Sequence, residues 1–136
     1  IHAGEMGDGS HVPMAIAMGA YRIGHGINCV HDPAWLAEVV EKQIPLEVCV
    51  TGNTIGMFNR KYCDHPIRQL LEAGVKVTLN TDNMTFSETD LANEYSQLRA
   101  LGVSIETLKR CAQNSIDAAF CSEETKEMLR KKMGFK

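Results

Sequence analysis

Three short apolar runs punctuate the chain: Ala20-Tyr21-Arg22-Ile23, Leu46-Glu47-Val48-Cys49-Val50 and Val75-Lys76-Val77-Thr78-Leu79-Asn80. They are rich in β-branched side chains, bounded by Gly, Pro or Asn, and too short for stable helices, so each predicts a strand. Around them, apolar residues recur at helical spacing. Met14, Ala15, Ala17 and Met18 predict a helix before the first strand, closed by Gly19. Asp32 is placed to cap the next helix, with Pro33 in its first position and Leu36, Val39 and Val40 on its apolar face. Another begins near His65-Pro66, carries Ile67, Leu70 and Leu71, and stops at Gly74, a residue suited to the turn after a helix.

Beyond Asn83 the pattern is helical only. Leu91, Tyr95, Leu98 and Leu101 form one stripe ending at Gly102; Ser104 opens a second with Ile105, Leu108, Cys111 and Ala112; Ser122 opens a third through Met128 and Leu129. The three strands lie about 25 and 30 residues apart with one helix in each interval, the spacing of βαβ units, which yield parallel strands. Parallel sheets are covered on both faces, so the expected class is α/β. The pattern leaves two closures open, a doubly wound sheet or part of a (β/α)8 barrel.

Length and charge narrow the partners. A chain of 136 residues allows one domain. Its formal charge of −3, without a Lys/Arg run, argues against nucleic acid or an anionic membrane as a partner. No apolar stretch approaches the roughly 20 residues that span a bilayer. The chain opens Ile1-His2-Ala3-Gly4-Glu5, with neither an initiator Met nor a signal segment, and is expected to be an internal piece of a longer protein. Its five cysteines, Cys29, Cys49, Cys63, Cys111 and Cys121, contain no C-x-x-C pair and are expected to be buried apolar side chains in a reducing, cytoplasmic setting.

The residues able to do chemistry cluster. His2 and Glu5 open the chain, His25 follows Arg22-Ile23-Gly24, Thr51-Gly52-Asn53 follows the second apolar run, and Thr81-Asp82-Asn83 follows the third. All fall at C-terminal strand ends, the ligand-binding edge of parallel α/β proteins. His11, His31 and His65 do not share this placement; His31 and His65 stand beside helix starts and are assigned structural roles. Imidazole and carboxylate suit Zn2+, but His2 and Asp82 are two ligands where a catalytic zinc usually has three from the protein plus water.

Four ordered motifs carry a resemblance. His2-Ala3-Gly4-Glu5, Arg22-Ile23-Gly24-His25-Gly26, Glu47-Val48-Cys49-Val50-Thr51-Gly52-Asn53 and Thr78-Leu79-Asn80-Thr81-Asp82-Asn83 resemble the C-terminal half of the adenosine deaminase family. The tail, Asn114-Ser115-Ile116-Asp117-Ala118-Ala119-Phe120 and Ser122-Glu123-Glu124, is similar to that family's closing helices. The resemblance implies the C-terminal part of a TIM barrel, about three of its eight strands, with residues 1–136 belonging to one incomplete barrel domain. It implies His2 and Asp82 as zinc ligands, Asp82 also orienting the metal-bound water as a catalytic residue, Glu5 as the acid that protonates the purine ring at N1, and His25 as the histidine that activates or steadies the attacking hydroxide. Asn83 stands where many members have a second Asp facing purine N7, and Val50 and Gly52 stand where Pro and Ser are frequent.

The implied reaction is zinc-dependent hydrolytic deamination of adenosine to inosine and ammonia. Adenine, AMP or a modified purine nucleoside is the alternative substrate. The family's His-x-His zinc pair lies on a first strand that this chain lacks, so these residues alone are expected to be inactive. A half-barrel would also expose a strand edge and the apolar residues Ile23, Val48 and Val77, inviting self-association.

Overall fold

A computed structural model describes residues 1–56 and 61–135. Four parallel strands form one sheet in the order β1 (His2–Ala3), β2 (Ile23–His25), β3 (Leu46–Val48) and β4 (Val77–Leu79). Each is reached from its predecessor through helical crossovers: α1 (His11–Ala17), α2 (Pro33–Glu41), then α3 (Val50–Gly56) and α4 (Ile67–Glu72). After β4 come α5 (Met84–Ser87), α6 (Leu91–Ala100), α7 (Ile105–Asp117) and α8 (Glu123–Met133). The architecture is α/β with a parallel sheet, as the strand spacing predicts.

The expected elements are present with shifted edges. The first predicted strand starts at Ile23 rather than Ala20. The second ends at Val48, because the chain turns at Cys49 and Val50 already begins α3. A strand also runs through His2–Ala3, so the described residues supply four strands, one more than expected. Helix ends follow their capping residues: the Asp32, Asp90, Ser104 and Ser122 side chains accept backbone N–H groups of Ala34, Asn93, Thr107 and Thr125. Each such cap stabilises its helix by about 1 kcal/mol.

Register decides which side chains look where. His2 pairs with Gly24, Gly24 with Glu47, and Glu47 with Thr78, one row across the sheet. The alternate residues Ile23, Leu46, Val48 and Val77 are fully buried among Val12, Val39, Ile67, Leu70, Leu98 and Leu108 of the covering helices. Burial of each such side chain stabilises the fold by roughly 1.5–3 kcal/mol. The expectation that Ile23, Val48 and Val77 would lie exposed is therefore corrected: they face the helices, and the polar row holds the other face. There Arg22 pairs with Glu47 at 2.7 Å, donates to the Ala118 carbonyl at 2.7 Å and lies 3.8 Å from the Phe120 ring centre. Arg22 thus ties the start of β2 to the connection between α7 and α8.

The cysteine expectation holds in part. Cys29, Cys49 and Cys111 are buried; Cys63 and Cys121 are exposed, Cys63 in a turn and Cys121 in the short connection before α8. All five are free thiols. Among the described residues no helix is long and apolar enough to cross a membrane.

Candidate active site

The site is built from chain that has just left a strand. Glu5 follows β1, His25 ends β2, Asn53 lies one turn into α3 after β3, and Asp82 follows β4. Parallel strands put all these exits on one edge. One ligand atom each from Glu5, His25 and Asp82 falls within 4.8 Å of the others. His25 (φ 63°) and Asp82 (φ 56°) both adopt left-handed backbone, which L-residues take at a cost and which redirects each side chain as its strand ends.

Glycine makes room. At Gly24 a Cβ would sit 3.1 Å from the His2 ring, so the missing side chain leaves the space that ring occupies. Gly4 has φ +65°, and a Cβ there would run into Val12 of α1. The tight turn between His2 and Glu5 therefore depends on that glycine.

The site divides into a buried and an exposed part. His25 is 3% exposed. Its Nε2 lies 3.4 Å from Glu5 Oε2, and its Nδ1 lies 3.1 Å from Asn53 Nδ2. Asn53 Nδ2 also donates to Glu5 Oε1 at 3.4 Å, and Asn53 Oδ1 lies 3.5 Å from His65 Nε2. The start of α3 is pinned in turn by Glu94, which is fully buried and accepts from the Thr51 N–H at 3.1 Å and the Thr89 hydroxyl at 2.9 Å. By contrast His2, Asp82 and Asn83 are exposed. The His2 ring stands 5.3 Å from that of His25, tilted by 58°, and lies outside the Glu5–His25–Asp82 group. Asn83 caps α5: its Oδ1 accepts from the Phe86 N–H at 2.8 Å.

Cys49 shows the electrical character of the site. Burial, then the Asp82, Glu94 and Glu5 carboxylates, push its thiol up to about 12, so it stays protonated and is neither a thiolate ligand nor a nucleophile at neutral pH. The donors available to a cation are imidazole and carboxylate, a set suited to a divalent metal such as zinc.

The structure brings together the predicted Glu5, His25 and Asp82, with His2 beside His25 and Asn83 beside Asp82. Sequence reasoning missed two participants. Asn53 was recognised only as part of a polar cluster, and His65 was read as structural. The signal for both was faint, since a polar residue early in a helix and a His before Pro each have ordinary explanations.

A parallel sheet with imidazole and carboxylate groups gathered at its C-terminal edge is a segment of a TIM barrel. The chain belongs to the adenosine deaminase family, whose family model matches residues 1–134. It is 46% identical over 132 residues to the adenosine deaminase of Clostridium botulinum (strain Kyoto), a match that takes in 96% of this chain and 39% of that protein. Among solved structures, the adenine deaminase from Arthrobacter aurescens superposes with a TM-score of 0.87 at 32% identity, over 94% of this chain and 40% of that one. An amidohydrolase from Burkholderia ambifaria with bound Zn superposes with a TM-score of 0.84 at 26% identity, over 96% of this chain and 37% of that one. The chain spans about two-fifths of the length of the relatives it matches.

Proposed function

We propose that residues 1–136 form the C-terminal half of a zinc-dependent adenosine deaminase barrel. The observation that carries this reading is the convergence of Glu5, His25 and Asp82 within 4.8 Å at the exits of β1, β2 and β4, in a chain of that family. His2 and Asp82 would hold the metal, with further ligands from the other half of the barrel, because a catalytic zinc usually takes three protein ligands. When bound, the metal supplies an acidified water for attack on C6 of the purine. Glu5 donates a proton to ring N1, and His25, buried beneath it, presents Nε2 to the reacting face. Asn83 binds purine N7. Its Oδ1 is engaged by the Phe86 N–H, so its Nδ2 is free to donate to that ring nitrogen, a neutral substitute for an acid that would need its own proton. Adenosine is the favoured substrate; adenine, AMP or a modified nucleoside would use the same chemistry.

The test is a panel of these purines compared by kcat/KM in the complete protein, together with Glu5→Gln. Adenosine should lead the panel. Glu5→Gln should lower kcat at least about 100-fold, the scale of a lost general acid. Full activity of Glu5→Gln would refute the acid assignment.

A second reading rests on the sheet. Among the described residues, β1 and β4 each pair on one side only. A groove lined by Ile1, His2, Met6, Met14 and Met18 flanks β1, and another lined by Leu79, Tyr95, Ala112 and Met133 flanks β4. A half-barrel with two such edges would self-associate. Light scattering on the purified 136-residue chain decides this: dimers or larger species are expected, and a well-behaved monomer would count against it.

A further inference from the structure

We propose that Asn53 and His65 are positioning residues that fix which nitrogen of His25 carries its proton, an inference that rests on the deaminase reading only for its kinetic consequence. One chain of hydrogen bonds runs inward from the start of α4 to His25. The Ile67 N–H, at the start of α4, donates to His65 Nδ1 at 3.0 Å. A backbone N–H can only donate, so His65 Nδ1 is an acceptor and the neutral ring carries its proton on Nε2. That Nε2–H faces Asn53 Oδ1 at 3.5 Å, which orients the amide with its oxygen toward His65. Asn53 Nδ2 then points the other way, where it meets Glu5 Oε1 at 3.4 Å and His25 Nδ1 at 3.1 Å.

With an N–H donor against it, His25 Nδ1 must be the lone-pair nitrogen. The His25 proton is thereby placed on Nε2, 3.4 Å from Glu5 Oε2 and at the reacting edge. His25 with Nε2–H is a hydrogen-bond donor to whatever sits in the site and is not a metal ligand, which leaves ligation to His2 and Asp82. All three residues are buried: His25 is 3%, Asn53 2% and His65 7% exposed, so water does not compete for these bonds. A backbone group at the start of α4 thus sets the tautomer of a site histidine through two intervening side chains.

The test is the 15N spectrum of the histidine rings in the complete protein, first unmodified and then as Asn53→Asp. The unmodified protein should show His25 protonated on Nε2 and His65 likewise; a His25 with its proton on Nδ1 would overturn the proposal without recourse to any variant. Asp at position 53 keeps the shape and still accepts from His65, but it replaces the donor facing His25 by an acceptor. His25 Nδ1 should therefore become protonated, and kcat should fall at least about 100-fold with KM changed less than about threefold, since a wrongly protonated catalytic histidine is costly. Thermal unfolding confirms that the variant is folded. A folded Asn53→Asp protein whose His25 Nδ1 stays unprotonated would also overturn the proposal. The tautomer is read without turnover, so a protein that shows the predicted ring states but deaminates no purine would contradict the deaminase reading and leave the relay standing.

Discussion

The two halves of the site are built on opposite plans. Around His25 protein groups face one another: Asn53 and Glu5 on the ring, His65 behind Asn53, and Glu94 holding the first turn of α3. Around His2, Asp82 and Asn83 the side chains stand at an exposed rim. The difference teaches how the candidate site would divide its work. On the proposed assignment, groups that must keep one orientation are buried in a hydrogen-bond network, whereas groups that would receive a metal or substrate face outward, where binding would complete them.

The strongest way to break the buried half is to remove its anchor. Glu94→Ala leaves the Thr51 N–H and Thr89 hydroxyl without their shared acceptor in a fully buried place, and should cost about 2–3 kcal/mol in denaturant unfolding. A cost below about 0.5 kcal/mol would mean that Glu94 does not anchor α3. At the rim the opposite outcome is expected. His2→Ala and Asp82→Ala should each leave stability within about 0.5 kcal/mol, because the replaced side chains are exposed, while zinc content measured after dialysis falls sharply. Large destabilisation with metal retained would reverse the assignment of the two halves.

Thiol reactivity sharpens the contrast across the whole fold. Cys63 and Cys121 should react quickly with a thiol reagent in the native protein. Cys29, Cys49 and Cys111 should react only on unfolding, being buried and held protonated with values pushed up to about 11, 12 and 11. The smallest effect is expected at Gly52. A Cβ there would meet Cys49 Cβ and Ser87 Oγ at 3.6 Å and Asp82 Cβ at 3.7 Å, ordinary contact distances. Gly52→Ser should change stability by no more than about 0.5 kcal/mol.

Much of the scaffold was legible because its signals are local. Asp32-Pro33, Ser104 and Ser122 mark helix starts by chemistry that needs no tertiary partner, and all three cap as read. The grouping of Glu5, His25 and Asp82 was legible because strand ends of a parallel sheet share an edge whatever the closure. Strand β1 was not, since two residues, His2–Ala3, carry no periodicity of their own and are strands only by pairing with Gly24 and His25. Thr51-Gly52-Asn53 was recognised as polar chemistry after a strand, but nothing local signalled a helix that begins at Val50 and depends on a carboxylate 43 residues away. His65 illustrates the same limit. Its helix-start position was correct, and its place behind Asn53 is set by packing that no neighbouring residue announces.

The measurement closest to the central claim is adenosine turnover by this chain, alone and joined to the N-terminal portion of the Clostridium botulinum adenosine deaminase, each with excess zinc. On the proposed assignment the chain alone supplies two of the metal ligands and about two-fifths of the relatives' length, and should form no inosine above background. The joined protein should bind one zinc per molecule and convert adenosine to inosine. Robust turnover by the 136-residue chain alone, or a folded, zinc-loaded joined protein without turnover, would contradict the account.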